Sequence, residues 1–479
     1  MNTHILYHVD PGLEPEERWL LLQWSMVLGL DQTLTCTLLE LNNRLGLSPQ
    51  HAKKALASLK VNGYLSCETV RHGRGRPVSS HRVSSRFLRS LEKLDATISA
   101  HQPEIEALCR QAITIRASRK EKTQNLMSGE QRSNILVPAT YWLLTVLLAH
   151  ADTPGVVRGV SYGQLISVTG MTKERLKSQL SKLKKLGIIA NHEPGVLRSQ
   201  EGTCMRSVYF LNLAHPLLMG EDSRGLSVVI NSTGRPKNKN FLSGFYDAAL
   251  VASEVIENAE MIREKIDEIT VADLDVEEHE AQWESMLLKN RYANTYNHLL
   301  QNARSLLPPL NFLEPVAAEV LEFHRLGMGS ILKAHILSYA VMLLSNHWVE
   351  LEHGRGKPSD PICSMMTAIK RDCSSLVVVV DNQDDAAFHT FIYALAHHLA
   401  VELYYALKQV EQQQFDCDFA AAFFSVEPFK HEGNEFWKLD VHFRPSDGVM
   451  YLHNVRIDFR SVNISLPVEF NVLAGEKPN

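Results

Sequence analysis

SYGQLISVTGMTKERLKSQLSKLKKLGII, residues 161–189, reads as two short helices around a tight turn. Leu165 and Ile166 give the first helix an apolar face, and Gly170 supplies the turn. Thr172 is a natural N-cap for the second helix, because its hydroxyl can accept a bond from a free amide at the helix start. Leu176, Leu180, Leu183 and Leu186 then recur at helical spacing as one buried stripe. The opposite face carries Lys173, Lys177, Ser178, Ser181, Lys182, Lys184 and Lys185. A short helix, a glycine turn and a basic-faced second helix make a helix-turn-helix pattern suited to duplex DNA.

The flanks extend that pattern. A helix over 137–150 precedes it, with a hairpin at 158–160 leading in. Gly187 closes the second helix, Ile188 and Ile189 open a strand, 191–202 is turn-rich, and 205–213 returns as a strand. Sliding the chain by 124 positions uncovers a second copy. Leu41 then falls on Leu165, Gly46 on Gly170, Ser48 on Thr172, Lys53 on Lys177, Leu56 on Leu180, Leu59 on Leu183 and Gly63 on Gly187. In this copy Ser48 is the N-cap and Pro49 opens the helix, where its missing N–H is not needed. Ahead of this copy, residues 14–30 predict an amphipathic helix with acidic residues in its first turn.

Helix-turn-helix followed by a hairpin, as laid out over 137–213, resembles the winged helix-turn-helix superfamily, found in MarR-like regulators and plasmid replication initiators. The resemblance implies a recognition helix in the major groove and a wing beside it. Gln50, Lys53, Lys54, Lys173, Glu174, Lys177, Ser178 and Ser181 would then face the groove, the polar groups reading base edges and the lysines neutralising phosphates. The first wing holds RHGRGRPVSSHRVSSR, residues 71–86, whose centre Arg74-Gly75-Arg76-Pro77 resembles the core of an AT-hook. In that family two arginines lie along a narrow minor groove, where negative potential is concentrated, and glycine permits close approach. A solvated basic hairpin tip fits the same residues. Arg71, Arg74, Gly75, Arg76 and Arg82 would serve the first wing, and Arg198 and Arg206 the second.

Charge divides the chain. Residues 1–240 hold 31 Lys and Arg against 19 Asp and Glu, and residues 241–479 hold 18 against 35. The basic half suits a polyanion, and the acidic half suits a different task. The 479 residues predict several domains, and no run of 18 apolar residues or basic-then-apolar leader is found. Seven scattered cysteines without a CxxC pair fit reduced thiols in the cytoplasm, beside the nucleoid.

The remaining segments place no chemistry firmly. Residues 86–116 predict one connecting helix with a stripe of Phe87, Leu88, Leu91, Leu94 and Ile98, followed by a basic linker over 116–129. A second linker spans 214–240, including Gly234-Arg235-Pro236-Lys237, half an AT-hook core suited to phosphates. Helices are expected over 241–269, 276–305, 313–326 and 330–349; the stripe Ile331, Leu332, Ile336, Leu337, Val341 and Leu344 reads as core or oligomer seam. A strand at 375–380, a helix over 384–412 and strands at 418–429, 436–443 and 450–459 complete an antiparallel α+β pattern. Asp381, Asp384, Asp385 and His389 could hold a metal, but acidic capping of the helix start explains them without one. His397 and His398 are adjacent and point apart. Glu427, Lys430, Glu435, Lys438 and Asp440 lack nuclease spacing, and no GxxxxGK[ST] loop occurs.

The expected fold is multidomain, mainly α with α+β: two winged helix-turn-helix domains (14–85 and 135–213), a connecting helix and basic linker (86–134), a second linker (214–240), an acidic helical region (241–350) and a C-terminal α+β domain with an antiparallel sheet (360–470). The expected function is sequence-specific binding of double-stranded DNA as a bacterial transcriptional regulator, without enzyme activity, metal or cofactor. The acidic half would form a homodimer or receive a protein partner, and no membrane is involved. A plasmid or mobile-element replication initiator, and a DNA-processing enzyme with a C-terminal metal nuclease domain, are the alternatives.

Overall fold

The structure is a computed structural model. It describes residues 3–70, 78–93, 99–122, 136–195, 197–198, 203–204, 206–213, 215–218, 224–230, 241–272, 279–307, 310–377, 385–414, 419–431, 434–443, 456–461 and 464–471. The chain is mostly helical with small antiparallel sheets. It divides into two compact units, one of residues 1–192 with 206–224, the other of 193–205 with 225–479.

The first unit is built from a repeated set of elements. Helices α1 (Pro15–Val27), α2 (Leu38–Arg44) and α3 (Pro49–Val61) recur as α6 (Pro138–His150), α7 (Tyr162–Thr169) and α8 (Lys173–Lys185). Strands β1 (Leu34–Cys36), β2 (Leu65–Val70) and β3 (Val78–Val83) form a sheet in the order β1-β3-β2. Strands β4 (Val156–Val157), β5 (Ile189–Glu193) and β8 (Val208–Leu211) repeat that arrangement as β4-β8-β5. The fourth strand lies just upstream of the expected 158–160, and Arg158 itself is buried against the Asp152 carboxylate.

Both helix ends explain the offset. Ser48 Oγ accepts from the His51 amide at 3.2 Å, and Thr172 Oγ1 from the Arg175 amide at 3.3 Å. At the other end Gly63 (φ 73°) and Gly187 (φ 72°) adopt the left-handed conformation. Their amides donate to Lys60 and Lys184, and the next amides reach back to Leu59 and Leu183, so the orphan carbonyls of both helices are satisfied in the same way.

The two repeats share one core instead of being strung on a linker. Helices α1 and α6 are buried on nearly every side and pack together, with Trp19 stacked on Tyr141 at 5.1 Å between ring centroids. Between the repeats the expected single helix is two, α4 (Ser85–Glu92) and α5 (Gln102–Lys122). The break is held by His101, which hydrogen-bonds the Asp152 carbonyl at 2.6 Å, and α5 docks on α6. Phe87 and Leu91 are buried as the stripe required, Leu88 is half-buried, and Leu94 and Ile98 lie outside the described residues. Helix α5 also runs through the first part of the expected basic linker; residues 123–135 lie outside the described residues.

In the second unit a short ribbon of β6 (Leu197–Arg198) and β7 (Thr203–Cys204) accompanies a larger body. Helices α9 (Phe241–Ala272) and α10 (His279–Leu306) form a long hairpin. They are followed by α11 (Leu310–Leu313), α12 (Ala317–Arg325), α13 (Gly329–Asn346), α14 (Trp348–Glu352), α15 (Cys363–Val377) and α16 (Asp385–Gln414). The stripe of α13 is core: Ile331, Leu332, Ile336, Leu337, Val341 and Leu344 are all buried, and the helix packs on α16 and on β10 (Phe423–His431). Ser345 stitches helix to strand, accepting from the Phe424 amide at 2.9 Å. The helical region and the α+β region therefore share a core within this unit.

Two expectations here are corrected. Residues 224–230, placed in a linker, form strand β9 (Arg224–Ile230), which lies between β11 (Asn434–Phe443) and β13 (Ile464–Asn471). With β12 (Arg456–Ser461) the sheet runs β10-β11-β9-β13-β12, so it has five strands. The apolar run Leu226 to Ile230 needs a sheet to cover its backbone, and its partners are contributed from the far end of the chain. The strand expected at 375–380 is instead the end of α15 as far as Val377, because Met365, Ala368, Ile369 and Cys373 are buried at helical spacing and carry the helix onward. Residues 378–384 lie outside the described residues.

No helix among the described residues is long and apolar enough to cross a membrane.

Candidate nucleic-acid interface

The candidate surface is the solvent face of α3 and α8. Leu176, Leu180 and Leu183 are buried on the inner side of α8, as Ala52, Ala55, Leu56 and Leu59 are on α3. That burial fixes the rotation of each helix and leaves the other side outward. Gln50, Lys53 and Lys54 are exposed on α3; Lys173, Glu174, Lys177, Ser178 and Ser181 are exposed on α8. All eight residues expected at the groove therefore face solvent. Lys184 is exposed too, while Lys182 and Leu186 are half-buried.

The residues expected to serve the two wings are less fully described. Arg71, Arg74, Gly75 and Arg76 lie outside the described residues. Arg82 is exposed on β3. Arg206 is exposed beside β8, but its guanidinium donates to the Gly159 carbonyl, which ties it to the turn before α7. Arg198 lies on the β6–β7 ribbon opposite Thr203, in the second unit, and its side chain is outside the described residues.

No local pattern forewarns of the acidic contacts on this surface. Glu14 and Glu16 stand at the first turn of α1, and each reaches a different repeat. Glu14 pairs with Lys54 at 3.2 Å, and Glu16 with Arg175, the third residue of α8. Beneath them Arg18 is buried and donates to the carbonyls of Leu13, His8 and Asp10, pinning the preceding segment. This puts the Leu13 carbonyl directly against Gly170, where a Cβ would come within 2.2 Å of it. Only a residue with no side chain, and tolerant of a φ of 67°, fits that turn.

Electrostatics at the far end of α8 involve His192 on β5. Its ring stacks on Tyr209 and its Nδ1 accepts from Lys184 Nζ at 2.6 Å. Burial, reinforced by Lys184, pushes the imidazole down to about 4. Burial also draws the Lys182 and Lys184 amines below the ordinary lysine value.

Among the described residues, the groups weighed for other chemistry are not assembled into a site. Asp381 and Asp384 lie outside the described residues, as does the Asp385 side chain, and His389 is buried on α16. Register in the sheet sets Glu427 opposite Lys438, Lys430 opposite Glu435 and Ser425 opposite Asp440. Among the described residues no group of three His, Cys, Asp or Glu could hold a metal ion. Compared with known proteins, the chain matches no family model, no curated protein and no solved structure.

Proposed function

We propose that the chain is a sequence-specific double-stranded DNA-binding protein, a bacterial transcriptional regulator that reads its site with two winged helices. The observation that carries this reading is the repetition itself. Two capped helices in the same register, each preceded by a short helix and a tight glycine turn, turn lysines and small polar side chains to solvent. A solvated basic face on one helix needs no explanation. The same face on both copies, each followed by a strand and a returning strand, has the charge, shape and spacing of a groove-reading element. Gln50, Ser178, Ser181 and Glu174 would discriminate bases, while Lys53, Lys54, Lys173 and Lys177 would meet phosphates. The first wing would add minor-groove arginines through Arg74 and Arg76.

A replication initiator is the second reading, favoured by the packing of both repeats into one body with α1 against α6. One chain then covers two adjacent subsites, as iterated origin repeats require. The protection pattern decides between them: direct repeats beside an A·T-rich stretch point to an initiator, a promoter palindrome to a regulator.

The test is binding of the full chain to a genomic fragment pool as a function of salt. Wild type should give a discrete footprint and an affinity that falls steeply with salt. Lys53→Ala and Lys177→Ala should each lower the log–log slope by about 1. Gln50→Ala and Ser178→Ala should relax sequence preference and leave the slope unchanged. Absent binding, or binding indifferent to salt, would overturn the proposal.

A further inference from the structure

Helix α10 is 28 residues long, and among the described residues α9 is the one element it packs against extensively. The side toward α9 is marked by half-buried Ser285, Tyr292, Tyr296 and Leu299, ending in buried Ala303. The opposite side carries Trp283 at 61% exposure and Leu287 at 53%, with Met286 at 51% on one flank and Leu288 at 45% on the other. Trp283 and Leu287, one turn apart, leave apolar surface exposed to water, which disfavours it, and Leu288 lies on the flank beside them. Helices of this length draw most of their stability from packed faces, and here one face has no cover within the described chain.

The charges around the patch specify what covers it. Glu284 and Arg291 are both exposed and stand seven residues apart, so they share one flank of the helix, with Leu287 and Leu288 midway between them. When two copies of a helix pair antiparallel, the same flank of each faces the other. A two-fold axis beside Leu287 and Leu288 then sets Glu284 of one chain opposite the partner's Arg291, and the reverse pair forms by symmetry. The leucines meet at the centre, and Trp283 covers each end of the seam. The surface is complementary to itself in this one orientation.

We propose that the protein forms a homodimer through α10, paired antiparallel with its copy, held by Trp283, Leu287 and Leu288 and oriented by two Glu284–Arg291 pairs. Sedimentation equilibrium of the full chain without nucleic acid tests this, so its outcome is independent of the DNA reading. The wild type should be a dimer at micromolar concentration. Trp283→Asp and Leu287→Asp should each weaken the dimer by about tenfold or more with unchanged helical circular dichroism. Glu284→Arg should weaken it by several-fold, and adding Arg291→Glu to the same chain should restore it. A monomeric wild type, a dimer indifferent to Trp283→Asp, or a double charge reversal that fails to restore association would each overturn the proposal. Because Glu284 and Arg291 are exposed, the charge-reversed chains keep the test valid even where an apolar substitution disturbs the helix.

Discussion

At the scale of single residues, the glycines of the two repeats differ in what surrounds them. Gly63 and Gly187 take a φ above 70°, yet nothing lies within 4 Å of where a methyl would stand at either position. Alanine there meets only the intrinsic penalty of the left-handed region, about 1 kcal/mol. At Gly46 the methyl would press on the backbone of Ala112 and Ile113 at 2.9 Å, and at Gly170 on the Leu13 carbonyl at 2.2 Å. Backbone does not yield as a flexible side chain does, so the clash adds to the dihedral penalty and the total reaches roughly 3 kcal/mol or more at Gly170. Urea denaturation of the four alanine variants should rank Gly187 and Gly63 mildest, then Gly46, with Gly170 most severe. Equal losses at all four positions would show that conformation alone, and not the close approach of α5 and Leu13, sets the requirement for glycine.

Among the elements, the joint between α8 and β5 carries a proton-linked contact. His192 has a folded pKa of about 4 against 6.5 for the free side chain, because the stacked ring is partly buried and Lys184 lies beside it. The neutral imidazole is the form the fold prefers. Stability linked to it is therefore fully present above about pH 6.5 and is lost as pH falls through about 4. The urea midpoint should decline across that window, and His192→Gln, which keeps a polar group without the proton, should flatten part of the decline. An unchanged pH profile would mean that other half-buried histidines, among them His150 and His398, carry the whole effect. These elements also show what a sequence can and cannot disclose. The caps of α3 and α8, their glycine stops and their apolar stripes are local signals, and the offset between repeats follows from them. The pairing of Glu16 with Arg175 and the burial of Arg18 under three carbonyls depend on chain segments meeting in space, and no local pattern encodes them. Strand β9 escapes a local reading for the same reason: its neighbours β11 and β13 come more than two hundred residues later, as their ranges show. The exposed face of α10 is hidden differently, since an amphipathic pattern predicts that a helix has an apolar side but not whether the chain covers it.

For the whole molecule, the contrast between a basic first half and an acidic second half acquires a use if both proposals hold. Each chain would then bring two readers, and pairing through α10 would bring four to one DNA molecule. A second reading event becomes intramolecular once the first chain is bound, so affinity for a duplex carrying two sites should exceed that for one site by a factor set by effective concentration. Trp283→Asp weakens the pairing without touching α3 or α8. On a two-site duplex it should therefore weaken binding by about tenfold to a hundredfold, and on a one-site duplex it should leave binding unchanged. The salt slope on the one-site duplex should also match wild type, because the lysines proposed to meet phosphates are intact. Equal weakening on both duplexes would mean that α10 supports the reader itself, and no weakening on either would mean that the dimer serves something other than joint occupancy of DNA. The spacing between the two sites that gives the largest difference would then measure how far apart the paired chains hold their readers.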